Sequence, residues 1–236
     1  MKCYTGGAGR PLLLLHGFGG SHKSMLPIIK YFERTRLVAA PDLPGFGESA
    51  EPSAPYSVSD YAADVIGLMD ELGIDKIDII AHSFGGRIAL KLLARYPKRF
   101  GRAVLCGCAG LKPRRGAGYY IRVLWFKLMK RLKKVFKRID LGKYGSSDYR
   151  SLSPGMKQTF KLVIAEDLSG ELQNITAPAL VVVGDGDTAT PPYMARRIAK
   201  GICGAKLRII KGCGHFCYLE ALRDFLLMAE DFLEGR

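Results

Sequence analysis

Residues 77–86 read Ile77-Asp78-Ile79-Ile80-Ala81-His82-Ser83-Phe84-Gly85-Gly86, and the rest of the chain is best understood outward from them. The apolar run Ile77 to Ala81 has the length and composition of a buried strand, and Arg87 to Tyr96 carries helical spacing. A strand that turns sharply into a helix lifts one side chain, here Ser83, out of the sheet. The packed turn needs very small residues two positions to either side of it. Ala81 and Gly85 meet that need. Alanine stands where glycine is usual, so the expectation is an elbow that survives with a slight tilt.

Further short apolar runs lie at Leu12 to Leu15, Leu37 to Ala40, Ala103 to Cys106, Ala179 to Val183 and Leu207 to Ile210. Each reads as a buried parallel strand. Helical patterns separate most of them, at Ser24 to Glu33, Val58 to Leu72, Pro192 to Lys200 and Ala221 to Leu233. The alternation predicts an α/β protein whose mostly parallel sheet carries helices on both faces. One connection breaks the rhythm. The long stretch between Cys108 and Pro178 exceeds any ordinary crossover and carries helical patterns of its own, so it reads as an inserted cap. The domain division is a core over 1–110 and 173–236, with a helical cap over 111–172 following the fourth parallel strand. Within the cap, Ser153 and Pro154 predict the start of a helix running to Asp167.

The charge is concentrated in that cap. The chain of 236 residues carries +14, and residues 111–138 hold eleven Lys or Arg and no acid, leaving +3 for the remainder. A basic insert in a near-neutral body argues against nucleic acid as partner. Its apolar stripe, which includes Trp125, Phe126, Leu128 and Leu132, is expected to roof an acyl pocket. The sharper alternative is that Lys127 to Arg138 docks on an anionic membrane surface. The N-terminal residues lack a secretory layout and no early apolar run is long enough to span a bilayer, so the expected location is cytoplasmic. Six cysteines give no disulfide framework. Cys213, His215 and Cys217 lack zinc-ligand spacing, and no metal site is expected.

In open α/β sheets the ligand crevice lies at the carboxyl ends of the strands. Four loops there carry chemistry. His16-Gly17-Phe18-Gly19-Gly20 lets a backbone amide, that of Phe18, approach a ligand oxygen, with the Phe84 amide as the second donor of an oxyanion hole. Ser83 is the nucleophile and needs a base. Gly184-Asp185-Gly186-Asp187-Thr188 offers two carboxylates, and Gly214-His215 offers an imidazole between a strand end and a helix. Among four histidines, His16 is expected to shape the oxyanion turn, His22 to be solvated, and His82 to point away from Ser83. His215 remains as the base. The order Ser, acid, His is that of a known triad arrangement.

These stretches, with Asp42-Leu43-Pro44-Gly45-Phe46-Gly47, Pro191 and Gly214-His215-Phe216, resemble the α/β-hydrolase superfamily over nearly the whole chain outside the cap. The resemblance implies a Gly-x-x-Asp acid, which selects Asp187 over Asp185, and a structural turn at Asp42. It also implies two leading antiparallel strands, of which only one short strand near Lys2 to Thr5 has room here. The expected activity is hydrolysis of a small-molecule ester or related acyl substrate through an acyl-enzyme on Ser83, Asp187 and His215, with no cofactor. Gly17, His82, Trp125 and Phe216 are the pocket candidates. Carbon–carbon bond hydrolysis is an alternative on the same triad. Ser83-Phe84-Gly85-Gly86-Arg87 also resembles menaquinone-pathway lyases, although Arg87 is read first as a solvated helix residue. A non-catalytic receptor would lack a triad member, and none is missing.

Overall fold

The computed structural model describes residues 1–113 and 152–236. Seven strands form one sheet in the order β1-β3-β2-β4-β5-β6-β7. They are β1 (Cys3–Gly6), β2 (Arg10–Leu15), β3 (Arg36–Pro41), β4 (Ile77–His82), β5 (Phe100–Cys106), β6 (Ala179–Gly184) and β7 (Lys206–Ile210). Only β1 is antiparallel, pairing with β3 from Cys3↔Pro41 to Gly6↔Val38. It is the single short leading strand expected from the ten residues available.

Alternation along each strand explains the two faces. Leu13, Leu15, Ile79, Ala81, Leu105 and Val181 belong to one apolar cluster, whereas Leu12, Leu14, Ile80, Val104 and Val182 belong to another. Because successive side chains point to opposite faces, a sheet covered on both sides needs continuous apolar runs. Helices α2 (Val58–Glu71), α3 (Phe84–Arg95), α4 (Pro154–Ala165) and α5 (Pro192–Gly201) contribute to the first cluster. Helices α1 (Leu26–Phe32) and α7 (Leu222–Glu234) contribute to the second, as does the single turn α6 (Cys217–Glu220) through Cys217 and Tyr218. Each fully buried aliphatic side chain in these layers contributes roughly 1.5–3 kcal/mol.

Three expectations are corrected. β7 is no buried strand: its residues alternate between exposed and half-buried, because it forms the sheet edge with β6 as its one neighbour. The Ser24 to Glu33 pattern divides into a 3-10 turn, His22–Met25, and α1. Ser21 caps the turn, its hydroxyl accepting from Lys23 N. Finally, α3 starts at Phe84 instead of Arg87, so Ser83 itself occupies the N-cap position.

The α4 start agrees with the sequence. Ser153 Oγ accepts from Met156 N at 3.1 Å, with Pro154 as first helical residue. The helix packs through Met156, Thr159 and Val163, and Thr159 Oγ1 accepts from Tyr56 N at 3.0 Å. It lies over the carboxyl ends of the strands, against the core. Trp125 and the basic stretch Lys127 to Arg138 lie outside the described residues. No described helix is long and apolar enough to cross a membrane.

Candidate active site

The elbow forms as the sequence predicts. Ala81 is fully buried in β4, in register with Leu15 of β2 and Leu105 of β5. Gly85 is the position where size is decisive. A Cβ there would lie 2.4 Å from the Leu15 carbonyl oxygen and 2.7 Å from that of His16. Its amide instead donates to His16 O at 3.1 Å, stapling the start of α3 to the end of β2. Ser83 pays for the turn with φ 52°, ψ −109°, and it is the one non-glycine residue at positive φ among the described residues.

Three strand ends meet at Ser83. Its hydroxyl lies 2.9 Å from His215 Nε2, and His215 Nδ1 lies 2.8 Å from Asp187 Oδ2. With Nδ1–H donating to the carboxylate, Nε2 is free to accept the serine proton. Asp187 also accepts from the Ala189 and Thr190 amides at 2.9 and 2.8 Å and lies 2.7 Å from Thr190 Oγ1. Burial pushes its pKa up, but the donors from His215 and Thr190 outweigh burial and hold it below the usual aspartate value. Asp185, the competing carboxylate, accepts instead from Gly212 N at 2.8 Å and makes no contact with His215. Gly214 N donates to the Glu220 carboxylate, which fixes the loop that carries His215.

The glycine-rich loop after β2 forms a turn in which Gly20 N donates to Gly17 O at 3.0 Å, with Gly19 at φ 74°. Phe18 occupies the second turn position, its amide outside the turn's own hydrogen bond. The Phe84 amide opens α3 and so has no acceptor within its helix. Both residues line the cavity with Ser83 and His215, their rings edge to face at 5.5 Å. His16 is fully buried and accepts from Leu43 N at Nε2 (3.0 Å), which leaves Nδ1–H to donate to Gly17 O at 2.7 Å. It therefore ties the oxyanion loop to the Asp42 turn, as expected. Asp42 is taken up by His22 N, His22 Nδ1 and Glu48 N, a structural role.

Three residues depart from the sequence reading. His22 is bound to Asp42 at 2.8 Å and is not simply solvated. His82 does not point away from the site: it leaves the strand beside Ser83, and its ring lies 4.8 Å from that of His215. Arg87 is 6 % exposed and lines the cavity, with Nη1 donating to the Glu166 carbonyl at 2.6 Å. Its place at the fourth residue after Ser83, one helical turn on, was the available signal. Gly17, His82 and Phe216 line the cavity as expected. The cavity measures about 590 Å³ and is walled by Phe18, Phe84, Phe160, Val163, Ile164 and Tyr218 among others.

This geometry and the fold define the chain's class, and comparison with known proteins agrees. Residues 10–117 match the family model described as alpha/beta hydrolase fold. The chain belongs to that family. It is 31 % identical to 2-hydroxymuconate semialdehyde hydrolase of Pseudomonas putida, over 96 % of this chain and 88 % of that protein. Among solved structures it resembles the meta-cleavage product hydrolase CumD of Pseudomonas fluorescens IP01, at 26 % identity and TM-score 0.76, covering 99 % of this chain and 94 % of that one. It also resembles an N-acyl homoserine lactone degrading enzyme at 27 % identity and TM-score 0.77, covering 98 % and 96 %.

Proposed function

We propose that this chain hydrolyses a carbon–carbon bond next to a carbonyl group in an unsaturated oxo-acid, with Ser83 as nucleophile, His215 as base and acid, and Asp187 orienting the imidazole. The observation that carries the reading is the hydrogen-bonded relay Ser83–His215–Asp187 opening into a cavity that the buried Arg87 also lines. Arg87 has no carboxylate partner among the described residues, because the neighbouring Glu166 carboxylate is taken by Lys91 at 2.7 Å. A buried cation without a counter-ion costs several kcal/mol, and a substrate carboxylate in the cavity relieves that cost. The similarity to a hydrolase named for 2-hydroxymuconate semialdehyde, itself an acid with an aldehyde carbonyl, supports the same class. It favours the carbon–carbon alternative over the ester reading of the sequence.

In this reading His215 Nε2 takes the hydroxyl proton as Ser83 Oγ attacks the carbonyl carbon. The Phe18 and Phe84 amides hold the oxyanion without reorganising. When the tetrahedral intermediate collapses, the carbon–carbon bond breaks and its electron pair delocalises into the conjugated oxo-acid. The proton on His215 goes to the carbon fragment. Water, deprotonated by the same imidazole, then releases the second acid from acyl-Ser83. Ester or lactone hydrolysis needs the same steps with an oxygen leaving group, and the likeness to the lactone-degrading enzyme keeps it as the second reading.

The test is a comparison of kcat/KM for 2-hydroxymuconate semialdehyde and a p-nitrophenyl ester panel, with wild type and Ser83→Ala. The expected result is a preference for the dienoate of at least about 10²-fold, with kcat lowered about 10⁴-fold or more in Ser83→Ala. A reversed preference establishes the ester reading. Turnover of neither, with an intact fold, points to the lyase chemistry.

A further inference from the structure

Asp187 is the enclosed end of the relay. Its side chain has no exposure, so its oxygens depend on donors from the protein. Oδ1 accepts two, the amides of Ala189 and Thr190 at 2.9 and 2.8 Å. Oδ2 accepts Nδ1–H of His215 at 2.8 Å and has a lone pair for one more. Thr190 Oγ1, on a residue itself buried, lies 2.7 Å from that oxygen.

The same hydroxyl also lies 2.9 Å from Gly107 O, just past the end of β5, and 3.3 Å from His215 Nδ1. Gly107 has φ 50°, and a Cβ there would come within 3.3 Å of His215 Nδ1, so the β5 turn, the acid loop and the imidazole close on one point. The turn is anchored to β6, because Gly107 N donates to Val182 O at 2.8 Å. A hydroxyl has one proton, and here two oxygens can accept it. The ionised carboxylate is the stronger acceptor, since charge-assisted hydrogen bonds are roughly twice as strong as neutral ones, and its contact is the shorter. The proton therefore lies on the Asp187 side while Asp187 is charged. It turns to Gly107 O when the carboxyl takes up a proton and becomes a donor itself.

We infer that Thr190 is a positioning residue whose hydroxyl, shared with His215 on one carboxylate oxygen, sets the pH range in which Ser83 is activated. By donating to Oδ2 it draws off part of the charge that faces the imidazole. The imidazolium is then held less tightly, and Nε2 is free to accept the serine proton at lower pH. Without the hydroxyl, Oδ2 faces Nδ1–H alone and a higher pH is needed to free the base. The inference rests on the roles proposed above for Ser83, His215 and Asp187, and it holds whichever carbonyl is attacked. The titratable groups that face Asp187 and His215 among the described residues are His82 from β4, Cys106 from β5, and Cys217, Tyr218 and Glu220 from α6, with Arg87 of α3 lining the same cavity. None of them differs between wild type and a variant at position 190, so a change in pH dependence belongs to that side chain.

The test follows inactivation by a fluorophosphonate, which reports the reactivity of Ser83 without a natural substrate. The rate constant rises with pH as Nε2 becomes free, and the pH of half-maximal rate is compared for wild type, Thr190→Val, Thr190→Ala and Thr190→Ser. That pH does not depend on the fraction of protein folded. The expected half-maximal point is about 0.5–1 pH unit higher in Thr190→Val and Thr190→Ala, which corresponds to part of a hydrogen bond to a charged group. Thr190→Ser keeps the hydroxyl and should stay within about 0.2 unit of wild type. A residue that only packs would lower the Tm of all three variants and leave the half-maximal point in place. A valine or alanine variant that titrates with wild type, or a serine variant displaced as far as they are, overturns the inference and leaves the relay reading intact. Wild type that stays unlabelled at every pH overturns both.

Discussion

At the scale of single residues, the site is held in place by backbone strain and by tautomers. Ser83 at φ 52° is a conformation that costs about 1–3 kcal/mol for a residue with a Cβ. Ser83→Gly should therefore abolish turnover yet raise Tm by about 2–4 °C, measured by thermal unfolding. A fall in Tm would show that the elbow is not strained. His82 supplies a pH signature. Its folded pKa of about 4 lies below the unfolded value of 6.5, so the unfolded chain binds more protons between those limits. Stability from this group is complete above pH 6.5 and is lost as pH falls toward 4, by roughly 3 kcal/mol. His16 is also shifted down by burial and adds to the same trend. The difference between wild type and His82→Asn in urea unfolding isolates the His82 share, and parallel profiles for the two proteins would contradict it. The hydrogen-bonded grouping of Ser83, His215 and Asp187 was legible because each stands at a strand end in a known order. Arg87 was not, and His82, named for the pocket, was expected to point away from Ser83, because one sequence does not say whether a residue beside an elbow faces solvent or cavity.

At the scale of elements, α3 does more than present Ser83. Arg87, Lys91 and Arg95 recur every four residues and form one stripe along it. Arg87 reaches the Glu166 carbonyl. Lys91 binds Glu166 at 2.7 Å and Glu171 at 2.8 Å, and Arg95 binds Glu171 at 3.0 Å. The stripe clamps the segment that returns from α4 to the sheet, with Lys91 buried at its centre. Lys91→Ala should destabilise by about 2 kcal/mol, since it leaves two carboxylates short of their partner. Hydrogen exchange should quicken at 166–171 and not in β4; an even effect over both would show global loss instead. The central strands were legible because burial on both faces forces continuous apolar runs. β7 misled for the same reason: its apolar residues half-cover an edge, and burial depends on neighbours that composition does not reveal.

At the scale of the whole molecule, the sheet gathers residues 18, 83, 84, 187 and 215 at the carboxyl ends of its parallel strands, while β1 forms the lateral edge beyond β3. Most of the net charge resides in the sequence 111–138. The order of strand, loop and helix along the chain was enough to bring Ser83, Asp187 and His215 together, since parallel strands send all their carboxyl ends to one edge. Substrate class was not legible there, because an ester and an oxo-acid ask for the same nucleophile and base. They differ only in the polar groups around the carbonyl. The claim on which all else depends is that His215 and Asp187 activate Ser83. Intact-protein mass spectrometry after treatment with a fluorophosphonate tests it most directly. One adduct per chain, mapped to Ser83 and absent in Ser83→Ala, is the result predicted; an unlabelled wild type, or equal labelling of Ser83→Ala, would contradict it.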